Sequence, residues 1–498
     1  MCPEKGKIMK ARIISLLLLL AMTLTMFVAC NEPEETTKGS GPSGGDVTTD
    51  KPWLMPDIGD TMGNGEKIKM LSQNRDWYYD ELTIEADEIA NVIDQTVYDR
   101  ELYVEDYLKI ELENEKITAE KYSTVSDRAK TLFDGGDDTY DIVMNSRTGG
   151  GNGPEIYYNL YEVENVDLTM PWYNQGWINA NHDDIVTSIC GDATLSLLRF
   201  TFVTMCNNTL LAQYGVTNIY DDVTNMTWTI DRQHEIVSTI YEDANQNGVS
   251  DEGDIFGFVT NTCTAVDPYF CAFDQPIVAK NDSGEFEFVF DVDKAVTATN
   301  KINNLFHNSN GTLILEHQPG TDGEYLIAYD GFASDLYAFA TFRLIAVEEA
   351  AIIDMESPYG ILPMPLLDED QDHYGSYFHD MHSLIGIMGT VKEDRLPLVG
   401  AVLEVFSSYS YNSTRGIYLD TALKGRYFRD QQSRDVLDMV VASITVDPGA
   451  MYGDISGGLF GNYRTYTEGN TQNWANFVRS KQKIIATNLA KFNAGELH

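Results

Sequence analysis

The chain is short of positive charge. Its 498 residues carry 34 Lys plus Arg against 77 Asp plus Glu, a formal charge of −43 at pH 7. Such a surface is repelled by phosphate backbones and anionic lipid heads, which excludes nucleic acid as a partner. Cysteine is scarce, at six residues, with no CxxC pair and no Cys/His spacing of a zinc site. After residue 60 there is no GxSxG nucleophile elbow, and His234-Glu235 lacks the second His of a zinc-protease helix. TGGGNG at 148–153 lacks the Lys-Ser/Thr of a phosphate loop, so it reads as a flexible turn. His373, His379 and His382 cluster without completing a standard metal site. No repeat is visible, and no apolar run after residue 29 is long enough to cross a bilayer. What the chain does have is bulk: 28 Tyr, 21 Phe and 43% hydrophobic residues, enough for more than one core.

The first thirty residues read as an address. Lys5, Lys7, Lys10 and Arg12 precede an apolar run from Ile13 to Ala29, which ends in Phe27-Val28-Ala29-Cys30. A basic start, a short apolar core and a small residue before the cut make a secretory signal. Cysteine just after the cut is the pattern of a bacterial lipoprotein. Residues 1–29 are thus expected to be removed and Cys30 to be lipidated. Asn31 to Pro52 is rich in Gly, Ser, Thr and acid, which makes residues 30–60 a flexible tether. The expected location is the outer face of the cytoplasmic membrane. Cys190, Cys206, Cys263 and Cys271 remain in the body, where three pairings, or free buried thiols, stay open.

The body alternates short apolar strands with segments of helical period. Strands are expected at Glu66–Leu71, Leu108–Glu113 and Tyr140–Met144, with a helix over Ile89–Tyr107. Phe286, Phe288 and Phe290 alternate as in a half-buried strand. Leu336, Phe339, Arg343 and Val347 have the spacing of one helix face, as do Trp474, Phe477, Val478, Lys481 and Ile485. Strands alternating with helices predict an α/β protein with parallel sheets covered on both faces, in two lobes.

The most specific local motif is a cation loop. Asp243, Asn245, Asn247, Asp251 and Asp254 occupy positions 1, 3, 5, 9 and 12, with Gly248 at 6 and the Val249 carbonyl at 7. A hard cation wants six or more oxygens around a sharp turn, so the spacing predicts a structural Ca2+ site, although position 12 is Asp rather than Glu.

Aromatic residues beside polar ones are the candidate solute contacts. Asn74, Asp76, Trp77 and Tyr78 follow the first strand, and Trp172 with Tyr173 form a second cluster. Asn145 and Arg147 follow the third strand, and Trp228 lies farther on. In open α/β sheets ligands sit beyond the carboxyl ends of strands, and a sugar ring offers C–H faces to rings and hydroxyls to Asn, Asp or Arg. Catalytic residues are not nominated.

Several segments resemble the extracellular solute-binding lipoproteins of bacterial ABC importers, closest to the large carbohydrate-type branch. They are the lipobox and tether, Asp137-Asp138-Thr-Tyr140-Asp141-Ile-Val143, and Asn225-Met-Thr-Trp228-Thr with the Asp243 loop running into Asp254-Ile-Phe256-Gly-Phe258. Tyr359-Gly-Ile-Leu-Pro363-Met-Pro365 and Leu423-Lys-Gly-Arg-Tyr-Phe-Arg429-Asp430 match as well. The resemblance implies a periplasmic-binding-protein-like fold, two α/β lobes on a multi-strand hinge. It would place lobe 1 at 61–200, completed by about 326–400, and lobe 2 at 201–325, completed by about 401–498. It further implies a non-enzymatic receptor that captures a carbohydrate or related solute and hands it to permease subunits. The competing expectation is a lipid-anchored carbohydrate-active enzyme, which needs two carboxyl groups about 5–10 Å apart across a cleft.

Overall fold

The computed structural model describes residues 53–74, 82–118, 121–149, 154–182, 185–316, 323–420 and 431–496. The expected signal, Cys30 and most of the expected tether lie outside them. Strand β1 (Glu66–Asn74) alternates Lys67 and Lys69, on the surface, with Ile68 and Met70, in the core, then buries both faces from Leu71 onward. The helix Val92–Leu108 follows. Its first turn is capped by Asn91, whose side chain accepts from the backbone N–H of Ile93 at 2.8 Å and Asp94 at 3.0 Å. It stops at Lys109, held in the left-handed region at φ +55°, and returns the chain to β2 (Ile110–Thr118). A strand, a crossover helix and a parallel strand make one βαβ unit, with Glu66 opposite Ile110 and Asn74 opposite Thr118. Strand β3 (Ile142–Ser146) lies parallel on the other side of β1.

Farther along come β4 (Phe202–Asn207), β5 (Tyr241–Glu242) and β6 (Ile255–Thr260), then the hairpin of β7 (Val278–Lys280) with β8 (Phe286–Phe288). Strands β9 (Thr312–Ile314), β10 (Tyr337–Arg343), β11 (Tyr359–Leu362) and β12 (Ser383–Ile387) complete the set. One sheet has the order β12-β3-β1-β2; the other runs β11-β4-β10-β6-β5 with β9 also on β6. Neither is wholly parallel, contrary to the sequence expectation: β12 joins β3 antiparallel, and β4 runs antiparallel to both β10 and β11.

Residues 337–343 also correct the expected helix. A central strand is covered on both faces, so Tyr337 through Phe342 are all buried and no alternation by two survives to be read. The spacing of Leu336, Phe339 and Arg343 by three or four is coincidental there.

Each sheet has its own core. Around the first gather Leu108, Val143, Trp177 and, from the distant helix Leu396–Tyr409, Val399 and Phe406. Around the second gather Trp228, Phe258, Phe339, Phe306 and Trp474. Each such apolar side chain contributes about 1.5–3 kcal/mol by leaving water. Trp474 opens the expected C-terminal helix (Trp474–Asn493) and donates its indole N–H to Thr299 Oγ1 at 2.8 Å, tying that helix to Val292–His307.

The chain passes from the first core to the second at residues 199–202 and returns at 376–383. Strands β10 and β11 therefore belong to the second lobe, and the return comes about fifty residues later than the expected boundary near 326. The helix Leu396–Tyr409 likewise stays with the first lobe. The later passage follows the short helix Arg415–Ile417, since Tyr418 already packs in the second lobe.

Candidate functional site at the strand ends between the lobes

The two passages lie side by side. Phe202 N–H donates to the Tyr377 carbonyl at 2.8 Å, and His379 N–H to the Phe200 carbonyl at 2.9 Å. Because β12 is antiparallel to β3, the returning chain enters the first lobe at the carboxyl end of β3. Arg147 N–H donates there to the His382 carbonyl at 3.0 Å, and Thr148 N–H to the Asp380 carbonyl at 2.9 Å. In the second lobe β6 and β10 run parallel, so Asn261 and Arg343 emerge at one edge, beside the same passage. The carboxyl ends of strands from both lobes thus converge on residues 377–382, the position where open α/β sheets hold ligands.

Polar side chains concentrate at this edge. Asn261 is buried, and its Oδ1 accepts from the N–H of Cys263 at 3.0 Å and Ala265 at 3.2 Å, shaping the turn after β6. The Thr264 and Tyr325 hydroxyls bond to each other. Arg464 grips Asp267 through two bonds, one of them Nε to Oδ1 at 2.6 Å. Burial outweighs that guanidinium and pushes the Asp267 carboxyl up to about 6. Burial, together with the charge of Arg147, pulls the His382 imidazole down to about 3, and burial likewise keeps His379 neutral. Asp380 goes the other way: despite its burial, the positive charges around it, those of Arg147 and Arg464 among them, hold it below the usual range. Arg343, Arg464 and Arg147 all act on His379, so the charges of three guanidinium groups are felt at this one short segment.

The residues singled out from the sequence have different fates. Asn74 ends β1; Asp76, Trp77 and Tyr78 lie outside the described residues. Asn145 is buried within β3, opposite Leu384. Arg147 is at the convergence, its Nη2 donating to the carbonyls of Ala450, at 3.0 Å, and Met451. Trp172, Tyr173 and Trp228 are corrections. Trp172 has no exposed surface and meets Tyr173 and Tyr411 edge-on. Tyr173 donates its hydroxyl to Glu404 Oε1 at 2.7 Å, deep in the first core. Trp228 is equally buried, with its indole N–H on the Pro363 carbonyl at 3.0 Å and its ring against Phe339. A ring with no surface cannot stack on a sugar. Arg343, Arg464, Asp267 and Asp380 had no sequence motif to announce them, because Arg464 and Asp267 stand 197 residues apart.

The Asp243 loop joins β5 to β6. Both carboxylate oxygens of Asp243 accept backbone N–H groups, of Asn247 at 3.2 Å and Gly248 at 3.0 Å. Gly248 sits at φ +73°, the left-handed turn that its place in the motif requires. The side-chain amides of Asn245 and Asn247 both reach Asp251, at 2.9 and 2.6 Å. Asp254 is fully buried: Oδ2 accepts from the Tyr241 hydroxyl at 3.3 Å, and Oδ1 has no partner. An orphaned carboxylate oxygen beside this oxygen-rich loop fits a hard cation. Among the described residues no three His, Cys, Asp or Glu side chains converge as a metal group, so an ion here would draw equally on the Asn amides and the Val249 carbonyl. Cys190, Cys206, Cys263 and Cys271 are free thiols, and burial pushes Cys206 up to about 12, where it is unreactive.

A separate cavity of about 350 Å3 lies between the helix Gln175–Ala180 and the β7–β8 hairpin. Its wall is mostly apolar, and the Asp447 carboxylate on it is already taken by the N–H groups of Ile277 and Ala450. It offers little to a hydroxylated solute.

No protein-family model matches the chain, and no curated protein sequence matches it. Solved structures do. A cyclic α-maltosyl-1,6-maltose binding protein from Arthrobacter globiformis superimposes with a TM-score of 0.53 at 11% identity, covering 86% of this chain and 100% of that one. The chain has the fold of the ABC-transporter solute-binding proteins. Two further examples of this solute-binding fold align almost end to end. A maltose/maltodextrin-binding domain from Bdellovibrio bacteriovorus, bound to maltotriose, gives a TM-score of 0.51 at 13% identity over 85% of this chain and 100% of that one. A binding protein from B. animalis subsp. lactis, in complex with β-1,6-galactobiose, gives 0.51 at 11% identity over 86% and 99%. Like them, this solute-binding fold carries two α/β lobes. Among the described residues no helix is long and apolar enough to cross a membrane.

Proposed function

We propose that the chain is the substrate-binding receptor of an ABC importer, capturing a carbohydrate or related solute between its lobes and delivering it to permease subunits. The observation that carries this reading is the convergence of β3, β6 and β10 on residues 377–382, in a fold whose solved examples hold sugars. Lobes joined by short passages close on a solute by bending at those passages. The carbohydrate-cleaving alternative is the weaker reading: Asp267 is engaged by Arg464, and the solved examples of the fold are named as binding proteins. Melting the purified body against a panel of mono- and oligosaccharides tests the reading. A solute at 100 times its Kd adds about 2.7 kcal/mol, a shift of several degrees. A panel in which no sugar or polyol raises the melting temperature would sink it.

The same melts, run with calcium and with chelator, test the Asp243 loop. We read it as a structural Ca2+ site that fixes the β5–β6 turn, held by Asp243, Asn245, Asn247, Val249, Asp251 and Asp254. Calcium should raise the melting temperature of the wild type but not of Asp243→Ala with Asp254→Ala. Identical wild-type melts in both buffers would leave only an acidic turn.

We also read Cys30 as the lipid attachment that holds the receptor at the outer face of the membrane. Cys30→Ser should then release the body into the medium; full retention by cells would mean another anchor.

A further inference from the structure

Arg343 is half-buried at the carboxyl end of β10, and it is held differently from other arginines of the chain. Arg199 grips Glu348 at 2.9 Å, Arg395 grips Asp141 at 2.7 Å, and Arg464 grips Asp267. Arg147 donates to two carbonyls. Arg343 makes no ion pair among the described residues. Its guanidinium carbon lies 5.6 Å from the centre of the Phe200 ring and 5.2 Å from that of Tyr325, and the Tyr329 phenol is close enough to feel its charge. In a chain with 77 acids and 34 bases, a half-buried arginine lacking a carboxylate is an exception. Rings on its flanks fix its plane and direction without satisfying its donors, and a planar fork with open donors matches a carboxylate in two parallel bonds.

The surroundings set what kind of anion fits. The Thr264–Tyr325 hydroxyl pair adjoins Arg343 through the Tyr325 ring, and the Thr148 hydroxyl stands on the Asp380 carbonyl, groups that suit the hydroxyls of a sugar. Glu324, which is buried, lies near Tyr325 and Asp380 near His379, so a dianion would meet about twice the repulsion that a single negative charge does. We infer that Arg343 is the anchor for one carboxylate of an acidic saccharide, which makes uronic-acid-containing sugars the preferred solutes at these strand ends. The inference rests on the receptor reading above and narrows it to a substrate class.

The test is titration calorimetry on the whole body, wild type, Arg343→Gln and Arg343→Lys. The probes are di- and trisaccharides of glucuronic and galacturonic acid, their neutral glucose and galactose counterparts, and glucose 6-phosphate. The acidic saccharides should bind the wild type at least tenfold more tightly than the neutral ones. Arg343→Gln should lose about 10–100-fold for the acidic probes only, with its ligand-free melting temperature unchanged, and Arg343→Lys should recover part of the loss. Neutral sugars that bind as tightly, with no effect of Arg343→Gln, would overturn the inference and leave the receptor reading standing. Tighter binding of the phosphate ester would overturn the choice of carboxylate. If none of the saccharides binds, the receptor reading falls and this one with it.

Discussion

Arg147 and Arg343 hold matching places, each at the carboxyl end of a strand, one in each lobe, yet they are held by different chemistry. The donors of Arg147 meet the carbonyls of Ala450 and Met451, more than 300 residues away in the chain. Those of Arg343 face aromatic rings and one phenol. A guanidinium whose donors end on carbonyls is a tie between segments, since removing it leaves two acceptors unsatisfied. One that rests on rings keeps its donors for something else. Sequence position alone makes the two residues look alike; only their partners separate a joint from a binding group. The same contrast governs the tryptophans. Trp172 in the first lobe and Trp228 in the second are both followed or preceded by polar loop residues, and both are sealed in the core.

That last symmetry is the easiest to break. Trp172→Ala and Trp228→Ala should each destabilise the ligand-free protein by about 3–5 kcal/mol, the cost of emptying an indole-sized space in a packed core. Denaturant unfolding of both variants measures it. If one of them unfolds like the wild type and loses solute binding instead, that lobe does use its indole as a stacking platform.

How much of this was legible beforehand depended on how many sides of an element are covered. β1 was readable because its first half exposes Lys67 and Lys69 between Ile68 and Met70. The helix Val92–Leu108 was readable by its period, and the helix Trp474–Asn493 by its apolar stripe. β10 was not, because a strand buried on both faces shows no period of two, and its aromatic residues fell by chance at helical spacing. The lobe boundary was misplaced for the same reason: once β10 is taken for a helix, nothing marks residues 337–362 as part of the second sheet. At the site, proximity to a strand end in sequence picked out Arg147, which the fold places at the convergence. It also picked out Trp172 and Tyr173, since depth below the surface has no local signature. Arg343 was invisible as a site residue: Phe200 and Tyr325, which flank it, come from other parts of the chain, and no motif joins them. Asp267 and Arg464 form a pair only in three dimensions.

The smaller effect sharpens the distinction between the two arginines. Methionine at position 147 keeps much of the apolar stem and removes every donor, so Arg147→Met isolates the hydrogen bonds. The carbonyls of Ala450 and Met451 would lose a charged donor, and the Arg147 Nε, which is buried without a partner, would cease to be a cost. Hydrogen bonds to a charged group are worth about 1.5–3 kcal/mol, and relief of the unpaired nitrogen offsets part of that, leaving a net loss of about 1–2 kcal/mol. The loss should appear in the ligand-free protein, because the tie joins Arg147 to the 450–451 segment whether or not a solute is present. Arg343→Gln predicts the reverse: no change without solute, and weaker binding with it. The two variants therefore trade places between a melting curve and a binding isotherm. Should Arg147→Met melt like the wild type and lose affinity as Arg343→Gln does, the two guanidinium groups act together on one solute, and the carbonyl contacts of Arg147 are those of a side chain waiting for its ligand.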